Sequence, residues 1–236
     1  MQRYFAKRNN NKIILDDGDV HHLLHVMRAK AGYELEAVID GKLFMGIVKN
    51  TSPLDIEINY EIPTDSELPV EVTLFFALAK GDKIDFVIQK ATELGASRIV
   101  LLNTERCVVK YEQKDIAKKL ERFRKIAKEA SEQSHRLRVP EVVGVIDLNN
   151  IPNELLSDTN LVAYEKVADQ KENMLSSFAK DKSVSVMIGP EGGFSEKEIS
   201  LLKDQGFEIV SLGKRILRTE TAAVYALSVI GFLLEK

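Results

Sequence analysis

Cysteine is nearly absent: Cys107 is the only one in 236 residues, which rules out an internal disulfide and suits a reducing compartment. Long apolar runs are missing as well. No stretch approaches the 18 or more residues of a membrane helix, and the opening MQRYFAKRNN lacks the apolar core of a secretion signal. A cytoplasmic location without a membrane partner is therefore expected. Neither G-x-G-x-x-G nor G-x-x-x-x-G-K-[ST] occurs, which removes the common dinucleotide and triphosphate sites. Metal-ligand spacing is also lacking. His21 and His25 in HHLLH would share a helix face, but no acidic or cysteine partner follows at zinc-site spacing, so no metal is expected. Internal repeats and low-complexity tracts are absent, consistent with an ordered chain. The net charge is only −3, too small for a protein that coats nucleic acid indiscriminately. That total hides an imbalance: residues 80–138 carry 15 Lys and Arg against 9 Asp and Glu, and residues 141–210 carry 6 against 13. One face able to hold phosphates is expected from this distribution.

The 44% hydrophobic content supports a sizeable core, enough for a small domain followed by a medium one. Up to about residue 60, short strand-like runs (residues 12–15, 33–39, 43–49 and 55–60) alternate with turns at Gly18, Gly32, Gly41 and Pro53. Residues 20–29 interrupt them with helical spacing of Val20, Leu23, Leu24 and Met27. The polar EIPTDSELP, bracketed by Pro63 and Pro69, marks a boundary, giving domains of residues 1–69 and 70–236. Beyond it, strands and helices alternate, the pattern of an α/β domain with a mostly parallel sheet covered on both faces. Strands are expected at 70–79, 98–102, 141–145, 160–164, 184–188 and 208–212. Apolar stripes mark two helices, one from Ile84 to Leu94 and one through Ile116, Leu120, Phe123, Ala127 and Ala130. A last helix, residues 221–234, is apolar on nearly every side, which predicts burial on two fronts and a partner subunit as the simplest cover.

Two glycine-punctuated runs, IGPEGGFS (188–195) and LGKRILRTETAA (212–223), each follow a β-branched apolar stretch and each lead into a helix. Loops of this kind at successive strand ends permit positive φ, close backbone approach and hydroxyls near helix starts. These runs, with KGDK through IQK to ELG (80–95), TERC (104–107), EQS-x-R (132–136) and R-x-YF (3–5), resemble the RsmE family of SPOUT-class RNA methyltransferases over nearly the full length. The resemblance implies a knotted α/β methyltransferase domain, a small N-terminal β-barrel of the PUA type, and a homodimer. It also implies S-adenosyl-L-methionine as cofactor, N3 of a uridine in 16S ribosomal RNA as target, and naked RNA or the assembled small subunit as partner. The knot comes from the resemblance alone, since threaded chains are nearly absent among folds. Rival readings are a SPOUT enzyme acting on another RNA or on a ribose 2′-oxygen, and a non-catalytic RNA-binding factor that kept the fold.

S-adenosylmethionine suits the loops because its sulfonium is positive and its adenine neutral, so backbone groups and apolar walls suffice without a phosphate cradle. The family pattern places the cofactor at Gly189, Pro190, Glu191 and Gly192 in the first loop. In the second it points to Leu212, Gly213, Ile216 and Leu217, then Arg218, Thr221 and Ala222, with Tyr164 as a weaker member. Methylating N3 displaces a methyl group from sulfur with a nitrogen that has lost its proton, so an arginine near the uracil oxygens would stabilise developing charge. Arg218 is the first choice; Arg3 and Arg28 follow. Glu191 would accept the proton or merely orient the loop. RNA contact is expected of Arg3, Arg28, Lys80 and Lys83, and of Lys90, Arg106, Arg136 and Arg138.

Overall fold

A computed structural model describes residues 1–167 and 182–236. The chain divides into two compact units: Met1–Glu67 with Ser131–Arg138, and Leu68–Ala130 with Val139–Lys236. The sequence boundary in EIPTDSELP lies at the first division. What the linear reading of residues 1–69 lacks is the short return segment, whose attachment to the small unit depends on buried pairs described below.

The small unit is a six-stranded sheet in the order β1-β4-β5-β6-β3-β2. Its strands are β1 (Arg3–Phe5), β2 (Lys7–Asn9), β3 (Lys12–Ile14), β4 (Glu34–Ile39), β5 (Lys42–Thr51) and β6 (Leu54–Ile62). β1 runs parallel to β4 and the other neighbours are antiparallel. Tyr4, Leu35 and Ile56 fill its core, as strand alternation directs one set of side chains inward, and Leu23 joins them from the helical segment between β3 and β4. Helix α1 (Asp17–His21) starts where the Asp16 carboxylate accepts the Asp19 N–H at 2.8 Å. It continues as a π turn over His22–Val26 and closes at Arg28, whose φ of 52° ends the helical run. β1 and β2 are three residues each, too short for the alternation that reveals strands in a sequence.

The larger unit is a six-stranded parallel sheet in the order β12-β10-β11-β7-β8-β9. Its strands are β7 (Val72–Ala77), β8 (Arg98–Asn103), β9 (Glu141–Asp147), β10 (Thr159–Ala163), β11 (Val184–Ile188) and β12 (Phe207–Val210). Every residue of β7 and β11 is buried, as a parallel sheet covered on both faces requires. Alternation splits β7 between two cores. Val72, Leu74 and Phe76 pack with α2 (Lys83–Glu93), α3 (Gln113–Gln133) and α5 (Thr219–Leu234), while Phe75 packs with α4 (Glu196–Asp204) and Phe207. The order has a functional consequence. β7, β8 and β9 are laid outward in one direction, and β11, β10 and β12 in the other, so three chain ends emerge side by side beyond the switch. Ligands of open parallel sheets bind outside the carboxyl ends of strands at such a switch point.

Candidate cofactor and methyl-transfer site

A cavity of about 500 Å³ opens at the carboxyl ends of β10, β11 and β12. Its walls come mainly from three segments, Ala163 to Glu165 at the end of β10, Ile188 to Phe194 at the end of β11, and residues between Ser211 and Ala222 after β12, with Lys83 added from elsewhere in the chain. The sequence-derived residues Tyr164, Gly189, Pro190, Glu191 and Gly192 line it, as do Leu212, Gly213, Ile216, Leu217, Arg218 and Ala222. Thr221 does not. α5 begins at Thr219, two residues earlier than expected, because Arg218 is still extended at ψ 153°; Thr221 therefore falls on an exposed helix face. Thr219 takes the wall position and its hydroxyl donates to the Gly189 carbonyl at 2.7 Å, tying the second loop to the first. Ser211, Arg215, Gly193 and Phe194 also line the cavity, although the sequence reading did not assign them to the cofactor.

Local chemistry fixes both loops. The Ser195 hydroxyl caps α4 by accepting the Glu198 N–H at 3.3 Å, and the Glu198 carboxylate returns to the Ser195 N–H at 2.8 Å, a complete capping box. The same carboxylate, only 6% exposed, accepts the Glu105 N–H at 2.8 Å, so the TERC turn is held against the first loop. Arg106 completes this link by donating to the Gly192 carbonyl at 2.8 Å. Gly193 has φ 63° and Gly213 φ 104°, conformations that side chains rarely adopt. A Cβ on Gly213 would meet no atom of the protein within 4 Å. Gly213→Val is therefore expected to weaken cofactor binding about tenfold or more, since left-handed strain of order 1–3 kcal/mol relaxes the loop that shapes the cavity; isothermal calorimetry against the methyl donor measures it.

The residues present fit S-adenosylmethionine. Leu212, Leu217 and Ile188 offer an apolar wall for a neutral ring, the glycines expose backbone amides and carbonyls, and Glu165 and Glu191 supply carboxylates for a cationic ligand. A cavity of this volume falls in the ordinary range for small-molecule sites, roughly 300–1,000 Å³. Among the described residues, no group of three or more His, Cys, Asp or Glu is placed to hold a metal.

Several cations assigned to RNA by sequence have other partners. Arg3 is 5% exposed; its Nε donates to Glu36 at 2.8 Å and its Nη1 to the His135 carbonyl. Arg136 is 2% exposed and grips Glu67 through Nε and Nη2. Both are structural ions within the small unit, which corrects their assignment to phosphate and, for Arg3, to catalysis. Lys90 pairs with Glu93 at 2.8 Å. Lys83 lines the cavity, and its Nζ lies 2.8 Å from Glu191 and 3.4 Å from Glu220, so it is no free cation either. Arg28, Lys80, Arg106 and Arg138 are exposed. Arg218 is exposed at the cavity wall and its guanidinium has no hydrogen bond or ion pair among the described residues. The pairing with Glu220 that would have made it structural does not occur, because Glu220 faces Lys83. Burial raises the Glu191 carboxyl, but the hydrogen bond from Lys83, backbone N–H groups and the Lys83 charge together outweigh it and hold the group below the ordinary carboxylate range.

Comparison with known proteins agrees with this geometry. Residues 66–231 match the RNA methyltransferase domain model, and residues 15–59 match the model of the RNA methyltransferase PUA domain. The chain is 38% identical to ribosomal RNA small subunit methyltransferase E of Bacillus subtilis, covering 100% of this chain and 98% of that protein. It is 32% identical to the protein of the same name from Aquifex aeolicus, covering 96% and 97%. The crystal structure of ribosomal RNA small subunit methyltransferase E from Neisseria gonorrhoeae, bound to S-adenosyl methionine, superposes with a TM-score of 0.84 at 33% identity over 99% of this chain and 98% of that one. The chain belongs to the ribosomal RNA small subunit methyltransferase E family.

Proposed function

We propose that this protein transfers the methyl group of S-adenosylmethionine to N3 of a uridine in 16S ribosomal RNA, using the β10–β12 cavity for the donor and Arg218 beside the acceptor. The observation that carries the reading is the cavity itself: three adjacent strand ends, two glycine-bearing loops and, at its wall, a cationic side chain without a partner among the described residues. When bound, the cofactor supplies an electrophilic methyl group on sulfur. The chain's own residues align and stabilise. In-line positioning accounts for up to roughly 7–11 kcal/mol of barrier lowering, so the two loops can provide most of the acceleration. Arg218 would face the uracil oxygens and stabilise the anion formed as N3 loses its proton. Methylating stripped small-subunit RNA with a labelled donor and mapping the product nucleoside tests the reading. Label at a ribose 2′-oxygen, or none, would overturn it.

Glu191 is a weak base in this setting. Its lowered pKa keeps it ionised at neutral pH, and the contribution of the Lys83 pair to stability is present above the unfolded carboxylate pKa and lost only as pH falls through the lowered folded value. Glu191→Gln is therefore expected to leave the position of the pH–rate profile unchanged while changing KM for the donor a few-fold. A displaced limb would identify Glu191 as the proton acceptor.

A homodimer is the second part of the reading. Thr221, Tyr225, Ser228 and Phe232 recur at helical spacing along the exposed face of α5, with Tyr225 39% and Phe232 63% exposed. A second copy would cover these two aromatic rings, and sedimentation at micromolar concentration reads the assembly. No helix among the described residues is long and apolar enough to cross a membrane. With ribosomal RNA as substrate, the cytoplasm is the matching compartment.

A further inference from the structure

Lys83 is the unexplained cation of the cavity. It begins α2, a helix that contributes no other residue to the cavity wall, yet its Nζ meets carboxylates from both loop systems: Glu191 of the first loop at 2.8 Å and Glu220, on the first turn of α5, at 3.4 Å. Thr219 already ties the loops directly through the Gly189 carbonyl. Lys83 makes the second tie, from outside the loops. All of these residues belong to the larger unit.

From this we infer that Lys83 is a positioning residue for the methyl-transfer site: a latch that holds Glu191 and the start of α5 at one spacing and so sets the width of the cavity between them. The inference rests on the donor-binding reading above. Its physical content is a division of labour between cations. A lysine with two carboxylate neighbours has its charge already balanced and gains little from an RNA phosphate, whereas Arg218 has no charged partner among the described residues. Loss of the lysine would free the first loop from α2, and the cavity would fit the donor less well even with every lining residue except Lys83 retained.

Lys83 is 29% exposed and Glu191 36%, so solvent screening keeps the pair modest. The expected change is thus in donor affinity rather than in folding. Calorimetry with S-adenosylmethionine on the full-length protein, with thermal melting and RNA binding measured in parallel, tests the latch. Lys83→Met is expected to weaken donor binding by about three- to tenfold, with Tm and the salt dependence of RNA binding unchanged. Lys83→Arg should recover most of the affinity. In a double-mutant cycle, Lys83→Met and Glu191→Gln should be non-additive, because each breaks the same contact. Unchanged donor affinity in Lys83→Met, or additive losses, would overturn the latch. So would a salt slope flattened by about one unit, which is the mark of a phosphate contact. Failure of the unmodified protein to bind the donor would instead remove the methyl-transfer reading, and the latch with it.

Discussion

Arg218→Ala is expected to lower kcat for methyl transfer by roughly a hundred- to a thousandfold, the range seen when one preorganised donor to developing negative charge is removed. RNA affinity should change by no more than about threefold, as for one exposed contact among many. The asymmetry follows from where the side chain sits. Its backbone is fixed at the N-cap of α5, with its carbonyl accepting the Ala222 N–H at 2.8 Å, and the next residue is anchored to Gly189 through the Thr219 hydroxyl. The guanidinium itself is uncommitted among the described residues, so it is free to meet a charge that appears only as N3 is deprotonated. An interaction that exists only in the transition state changes kcat without changing ground-state binding. Arg218→Lys should recover little, because a point charge does not reproduce the planar fork of donors. Single-turnover transfer and equilibrium RNA binding on the same variant separate the two quantities. Equal losses in both would reduce Arg218 to an RNA contact.

What could be read from the sequence depended on the range of the interaction. The β-branched runs before Gly189 and Leu212 made β11 and β12 legible, because strand propensity and the turn that ends a strand are local properties. The cavity's two glycine loops followed from the same signal. The start of α5 was misplaced by two residues, since both Thr219 and Thr221 are plausible openers and only the extended backbone of Arg218 decides between them. Arg3, Lys83 and Arg136 have partners that the sequence did not reveal, for one common reason. Their partners lie 33, 108 and 69 residues away, at Glu36, Glu191 and Glu67. A cation's type is visible in a sequence; whether a distant carboxylate folds back to neutralise it is not. Charge density over residues 80–138 therefore overstated the number of cations free for phosphate.

Arg136 shows how large that difference is in energy. Its side chain is 3% exposed, and the Glu67 carboxylate it grips is 18% exposed and also accepts the Leu137 and Arg138 N–H groups at 2.8 and 3.2 Å. Arg136→Ala strands a mostly buried carboxylate and opens a void, for which losses of about 3–5 kcal/mol are usual. For a chain of this size that corresponds to a fall in Tm of roughly 6–20 °C. Arg136→Lys should recover little, because one ammonium cannot replace two donors of a rigid fork. Arg138, two residues on and exposed, is the control: Arg138→Ala is expected to leave Tm unchanged and, if this arginine meets a phosphate, to flatten the salt dependence of RNA binding by about one unit. Differential scanning calorimetry and RNA titrations at several salt concentrations separate the two behaviours. A variant Arg136→Ala that melts like the parent and binds RNA with a shallower salt slope would restore the phosphate assignment. It would also show that Glu67 tolerates losing its partner, which a carboxylate at that depth can do only by taking up a proton or reaching water.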